Sequence, residues 1–241
     1  MIISKNQELI KRNDFLIKIV GSFIICLISS YFICQNLKFN VYFHTDGFAP
    51  IEQVLLFTNF DSIGLDEIRL ARIPSLFPDL SIIYLIVRLL GQQDLFVIQS
   101  IYAFITTLLY LLGSISIFSI LFRSKYDLVQ IALTFTLSNF LLIKISPLYR
   151  EVFGHFLTPV HQGGNVIMTI LFLILILIDH ESIEPFIRYK KPLYLLIAII
   201  SSLSIVSNKL FIFTALVPFL TIKILHRIIS ANKLNNSSPL F

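Results

Sequence analysis

The side chains best suited to chemistry are concentrated in one polar segment of the sequence, residues 36–79, which lies between hydrophobic stretches. Connecting loops commonly carry the functional residues of a protein, and spans surrounded by hydrocarbon rarely carry ionisable groups. We therefore expect the functional site in this segment. Its acidic, basic and histidine side chains include His44, Asp46, Glu52, Asp61, Asp66, Glu67, Arg69, Arg72 and Asp79.

The composition of the chain indicates an integral membrane protein. Hydrophobic residues make up 56% of the sequence and charged residues only 14%, whereas soluble domains carry about 25% charged residues. The apolar run at residues 15–35 follows Lys11 and Arg12 and is long enough to cross a bilayer core of about 30 Å. No small-residue cleavage site follows this run, so we expect it to remain as a membrane anchor.

The charge distribution argues against a nucleic-acid site, and the positions of the cysteines argue against a disulfide or a zinc site. The net charge is +5, but the basic residues are scattered over loop ends instead of forming one stripe, so no nucleic-acid partner is expected. Cys26 and Cys34 both lie in the first apolar run, too far apart along one helix for a disulfide, and no zinc-binding spacing is present. The expected partners are membrane lipid and, as a further hypothesis, another membrane protein.

The apolar runs predict an all-α fold, a polytopic transmembrane helical bundle of about six spans. Segment 80–90 is too short to cross a membrane, and its polar residues Ser81, Tyr84, Arg88 and Gln92 recur at steps of three and four. This spacing favours a juxtamembrane helix lying at the surface, within an extracytoplasmic loop. The predicted spans are residues 15–35, 95–122, 128–146, 164–179, 192–207 and 210–226.

The positions of lysine and arginine predict the orientation of this bundle, because cytoplasmic loops are enriched in both. When both termini are cytoplasmic and segment 80–90 does not cross the membrane, the inner loop ends hold more lysines and arginines than the outer loop ends. We expect a bacterial cytoplasmic (inner) membrane protein with one membrane domain, residues 1–229, and a polar tail, residues 230–241. The first outer loop, residues 36–94, and the loop at 147–164 then face the same side.

Three short motifs in and around these two loops resemble the N-terminal module of GT-C glycosyltransferases. The motifs are Thr45-Asp46-Gly47-Phe48-Ala49, Phe77-Pro78-Asp79-Leu80 and Ser146-Pro147-Leu148-Tyr149-Arg150-Glu151. That family includes protein mannosyltransferases and aminoarabinose transferases, which use polyprenyl-phosphate sugars. The resemblance covers residues 15–180 and implies sugar transfer at the extracytoplasmic face of the membrane.

The resemblance also implies roles for individual side chains. Asp46 and Glu151 are the expected catalytic residues, with Asp46 as the carboxylate that accepts or positions the proton of the acceptor. Cationic side chains would stabilise the leaving phosphate. The expected substrate-binding residues are His44, Arg69, Arg72, Arg150 and His161.

Each of these side chains also has an ordinary structural interpretation. The dipeptide Asp46-Gly47 is typical of a solvated turn. Arg69 and Arg72 would then be interfacial residues whose side chains reach towards water, and a charge directly after a span, such as Arg150, commonly marks the membrane interface.

A divalent metal is used by some members of the resembled family and stays open as a cofactor here. The side chains available to such a metal are His44, Asp46, His155 and His161. The last two are six residues apart, so no two ligands share a helix face, and no metal ligand is assigned.

The remaining acidic residues of the first loop are interpreted as solvated, with Asp79 as a cap of the helix at 80–90. No acidic residue is expected inside a span, which argues against an ion-coupled transporter. The leading hypothesis is a GT-C-like glycosyltransferase or a fragment of one. The alternatives are a non-catalytic membrane subunit or transporter-like scaffold, and an inactive truncated product.

Overall fold

The computed structural model describes residues 2–37, 50–52, 54–55, 76–91, 94–122, 127–156, 163–180, 190–207 and 212–221. These residues are helical almost throughout and include no β-strand, which confirms the predicted all-α fold class. Two π-helical segments are Leu76–Leu80 and Ile212–Leu216. The α-helices are α1 (Ile2–Leu37), α2 (Ser81–Leu90), α3 (Leu95–Leu121), α4 (Leu128–Ile145), α5 (Pro147–Phe156), α6 (Gly163–His180) and α7 (Lys190–Ser207).

Three of the described helices are long and apolar enough to cross a membrane. They are Asn13–Leu37 within α1, Leu95–Leu121 and Leu128–Ile145, and they coincide with the first three predicted spans. Shorter apolar stretches occupy Gly164–Ile178 in α6 and Tyr194–Leu203 in α7. The length and composition of three helices thus support a membrane protein, and the number of six spans stays a prediction.

Two aspartates determine where α3 and α4 begin. Asp94 Oδ1 accepts a hydrogen bond from the backbone N–H of Phe96 at 2.8 Å. Asp127 Oδ1 accepts from the N–H of Val129 at 2.9 Å, and its own N–H donates to Gln130 Oε1 at 3.3 Å, which completes a capping box. A cap of this kind stabilises a helix by about 1 kcal/mol and fixes its first turn.

The three candidate spans run alternately up, down and up. Lys18 Nζ lies 2.8 Å from Asp127 Oδ2, so the early part of α1 lies beside the start of α4. Further along α1, Cys34 Sγ donates to Thr107 Oγ1 of α3 at 3.5 Å. Helix α1 is therefore parallel to α4 and antiparallel to α3. The chain leaves α1, enters α3 and leaves α4 at the same end of the bundle, which we call the loop end.

Helix α2 folds back along the first turns of α3. Its buried side chains Ile83, Ile86 and Val87 join a cluster that also contains Ile98 and Tyr102 of α3. The opposite face carries Ser81, Tyr84 and Arg88, which are exposed, as the spacing of the polar residues predicted. The chain then reverses direction at Gly91, whose φ of 59° is a left-handed conformation that favours glycine. The position of α2 relative to a membrane stays a prediction.

The side of the membrane on which the loop end lies can be measured with a reporter fused after Lys125, in the short connection between α3 and α4. We expect this reporter to lie in the cytoplasm, since that connection is rich in basic residues and lies at the end of the bundle opposite the loop end. A matched reporter fused after His161 should lie outside. A reversed pattern would show that the assigned orientation is wrong.

Candidate functional site

Five of the seven predicted site residues lie outside the described residues. They are His44, Asp46, Arg69, Arg72 and His161. The roles suggested for them stay predictions.

The other two predicted residues, Arg150 and Glu151, lie on α5 at the loop end. This helix begins directly after α4 because Ser146 acts as its N-cap, accepting a hydrogen bond from the N–H of Tyr149 at 3.2 Å. Pro147 occupies the first helical position, where its missing N–H costs no hydrogen bond. Glu151 is exposed and Arg150 is half-buried.

The guanidinium of Arg150 has a buried donor, its Nε atom. Its Nε atom is buried and has no hydrogen-bond partner within the part of the chain that the structure describes. A buried donor of a charged group is costly when no acceptor meets it. Arg150 is therefore suited to an anionic group that approaches α5.

A hydrogen-bond chain fixes α5 on α4 beside this arginine. Tyr149 Oη donates to Asn139 Oδ1 at 2.7 Å, and Asn139 Nδ2 donates to the carbonyl oxygen of Phe135 at 2.8 Å. Burial raises the pKa of Tyr149 to about 12, with a smaller contribution from the neighbouring Tyr110. The Tyr149 phenol therefore stays protonated at neutral pH and acts as a hydrogen-bond donor, so its role is to hold α5.

The structure corrects the interpretation of Asp79. This residue is fully buried, whereas the sequence predicted a solvated side chain that caps the helix at 80–90. The π-helical segment Leu76–Leu80 leads directly into α2, whose N-cap position is Leu80 and has no side-chain cap. Asp79 therefore lies inside a helical segment, and its Oδ1 accepts a hydrogen bond from the Oη of Tyr102 on α3.

The carboxylate of Asp79 also lies against the first turn of α6. A Cβ atom built on Gly164 would stand 2.7 Å from both carboxylate oxygens and 2.6 Å from Cδ of Pro78. Only glycine leaves room for this approach. The first N–H groups of a helix carry a partial positive charge, so the beginning of α6 is a favourable place for an anionic side chain.

Further buried polar side chains surround this contact. Gln99 lies one helical turn before Tyr102, and Asn165 follows Gly164; both are buried. We refer to Asp79, Gln99, Tyr102, Gly164 and Asn165 as the Asp79 cluster. It joins segment Leu76–Leu80, α3 and α6 at the depth of Tyr102, about 10 Å along α3 from its first residue.

The Asp79 cluster was missed because the acidic residue and its partners are far apart in the sequence. One signal was available: Gln99 and Tyr102 are large polar residues three positions apart near the start of a predicted span. Such a pair on one helix face indicates a buried polar partner. Asp79 is buried against α3, but it belongs to segment Leu76–Leu80 and lies outside the three candidate spans.

The described residues contain no group of three or more histidine, cysteine, aspartate or glutamate side chains that could hold a metal ion. Among the side chains proposed for such a site, those of His44, Asp46, His155 and His161 all lie outside the part of the chain whose side chains are described. The two functional features of the described residues are thus the Arg150 donor on α5 and the Asp79 cluster.

Comparisons with known proteins gave no match: no family model, no curated protein and no solved structure is similar to this chain. The resemblance to GT-C glycosyltransferases therefore rests on the order of spans and loops over residues 15–180 and on the three short motifs.

Substitution of Gly164 by alanine tests the contact between α6 and Asp79. We expect Gly164→Ala to lower the free energy of unfolding by about 1–3 kcal/mol, because the added methyl group overlaps the carboxylate and Pro78. Gly21→Ala is the matched control, since the nearest atom to its added Cβ is Val129 Cγ2 at 3.9 Å, an ordinary contact. Thermal unfolding in detergent measures both. Equal stability of the two variants would contradict the close approach.

Removal of one hydroxyl tests the bond between Tyr102 and Asp79. We expect Tyr102→Phe to destabilise the protein by about 1–3 kcal/mol, because a buried carboxylate oxygen loses its donor. Tyr84→Phe is the control, since that phenol is exposed and accepts from Arg88 Nε at 3.3 Å; its effect should stay within about 0.5 kcal/mol. A Tyr102→Phe variant as stable as the control would show that the bond contributes nothing.

Proposed function

We propose that this chain is a GT-C-like glycosyltransferase, or part of one, that takes a sugar from a polyprenyl-phosphate donor at the extracytoplasmic face of a bacterial inner membrane. The observation that supports this proposal is the contact between Asp79 and Gly164. Asp79 stands where the first polar loop ends, and Gly164 stands just after the second. The contact brings the last residues of the first loop beside the residue that follows the second, as one shared site requires.

Arg150 is the described residue best suited to the donor phosphate. It lies at the loop end, where a lipid phosphate sits at the membrane interface, and its buried Nε has no hydrogen-bond partner among the described residues. A guanidinium binds phosphate oxygens through parallel hydrogen bonds. Arg69 and Arg72, three residues apart in the first loop, would bind the same headgroup.

In the proposed reaction an acceptor oxygen forms a bond to the anomeric carbon of the sugar while the bond from that carbon to the phosphate oxygen breaks. Asp46 takes the proton of the acceptor, and the polyprenyl phosphate leaves as an anion stabilised by the arginines. Glu151, exposed on α5 one residue after Arg150, is the second carboxylate at this face. His44 and His161 would contact the substrate.

A second candidate function is a non-catalytic membrane subunit or transporter-like scaffold. The buried contacts of Asp79 support it, because a carboxyl group held against Tyr102 and the first turn of α6 has a packing role that needs no catalysis. In that case the loop charges would dock a partner protein. Co-purification of a membrane protein partner, without binding of lipid-linked sugar, would distinguish this function from transfer.

The transferase proposal is tested with membranes that contain the protein and radiolabelled polyprenyl-phosphate sugars. We expect Asp46→Asn to reduce sugar transfer about a hundredfold or more, because the amide cannot accept the acceptor proton. Asp61→Asn in the same loop is the matched control and should transfer at the wild-type rate, since Asp61 is interpreted as solvated.

Two outcomes contradict different parts of the proposal. Unchanged sugar transfer by Asp46→Asn would show that Asp46 has no catalytic role, although the protein would still be a transferase. If the folded wild-type protein transfers no sugar from any polyprenyl-phosphate donor, the transferase proposal is wrong and the second candidate function is favoured.

A further inference from the structure

A groove lies between α1 and α4, on the surface of two candidate spans. Its volume is about 670 Å³, which is within the range of about 300–1,000 Å³ that is usual for small-molecule sites. The walls are almost entirely apolar. They are formed by Ile25, Ile28 and Phe32 of α1 and by Leu133, Leu137 and Phe140 of α4.

The groove follows from the sequence of the two parallel helices. The large wall residues recur at steps of three and four, so each helix presents one continuous ridge. Between the ridges stand small side chains, Ser29 on α1 and Thr136 on α4. The hydroxyl of Thr136 donates to the carbonyl oxygen of Ala132 at 2.8 Å, so it is satisfied within its own helix. The floor of the groove therefore offers little polarity.

The exposed walls indicate a hydrocarbon occupant. Ile28 is 51% exposed, Phe32 52% and Leu137 58%, all on helices apolar enough to cross a membrane. In a bilayer, such a surface is in contact with lipid chains instead of water. An acyl chain lying along the groove would cover both ridges.

A positive charge stands at the loop end of the groove. Lys144 lies one helical turn beyond Phe140, and its Nζ atom is 5.8 Å from the centroid of the Phe140 ring, which lines the groove. The lysine is exposed and belongs to the last turn of α4, where the helix reaches the membrane interface. Lipid phosphates lie at the same level and attract basic side chains.

We propose that the groove binds an anionic phospholipid of the bilayer, with one acyl chain between the ridges of α1 and α4 and the phosphate beside Lys144. The site is separate from the Asp79 cluster, which joins segment Leu76–Leu80, α3 and α6. It does not depend on the proposed glycosyltransferase function.

Native mass spectrometry of the full chain released from lipid nanodiscs tests this site. The nanodiscs contain phosphatidylcholine and phosphatidylglycerol in equal amounts, and the lipid that stays bound is identified by mass. We expect the wild-type protein to retain phosphatidylglycerol in preference to phosphatidylcholine. Lys144→Gln should reduce that preference about fivefold, and Lys144→Arg should restore it.

A second pair of variants tests the groove itself. Ser29→Phe places a large side chain on the floor and should abolish retention of both lipids. Leu27→Phe is the matched control, because Leu27 is an exposed residue of α1 outside the groove, and its lipid retention should equal that of the wild type.

Several outcomes would overturn the proposal. If the wild type retained the two lipids equally and Lys144→Gln changed nothing, Lys144 would not recognise the lipid phosphate. If Ser29→Phe retained lipid fully, the lipid would bind outside the groove. A bound mass equal to that of a polyprenyl phosphate added to the nanodiscs would replace phospholipid as the occupant. A lipid-free dimer that Ser29→Phe dissociates would show that a second copy of the chain fills the groove.

Discussion

The architecture depends on the burial of one carboxylate. A charged side chain taken out of water destabilises a protein by several kcal/mol unless donors and opposite charge surround it. Asp79 is buried, its Oδ1 accepts a hydrogen bond from the hydroxyl of Tyr102, and its carboxyl group lies against the first turn of α6. Because these neighbours belong to different helices, they meet Asp79 only when segment Leu76–Leu80, α3 and α6 pack together. The absence of a side chain at Gly164 is a condition for that packing.

Other polar groups in the candidate spans are satisfied over much shorter distances. Ser30 Oγ donates to the carbonyl oxygen of Cys26 at 2.7 Å, and Thr106 Oγ1 donates to that of Tyr102 at 3.0 Å. A hydroxyl that bonds to its own helix needs no partner from another one. These residues therefore leave the choice of neighbouring helices open, whereas Asp79 and the pair formed by Tyr149 and Asn139 specify it.

This difference explains how much of the structure could be predicted from the sequence. The first three spans were predicted because hydropathy and length are local properties, and the exposed face of α2 followed from the spacing of Ser81, Tyr84 and Arg88. The environment of Asp79 could not be predicted. It is formed by Tyr102 and Gly164, which are distant from Asp79 in the sequence and are not connected to it by any sequence pattern. In the same way, the resemblance of residues 146–151 predicted Arg150 as a candidate, but its buried Nε is a property of three-dimensional packing. Most of the predicted site residues lie outside the described residues and stay predictions.

The position of Lys18 has a consequence for the order in which the protein is made. Its ammonium lies 3.0 Å from Asp14 on the same helix and 2.8 Å from Asp127 at the start of α4. Asp14 is present as soon as the first helix forms, whereas Asp127 leaves the ribosome much later. Asp14 can therefore pair with Lys18 before α4 exists, and the same lysine links α1 to the start of α4 once that helix has formed.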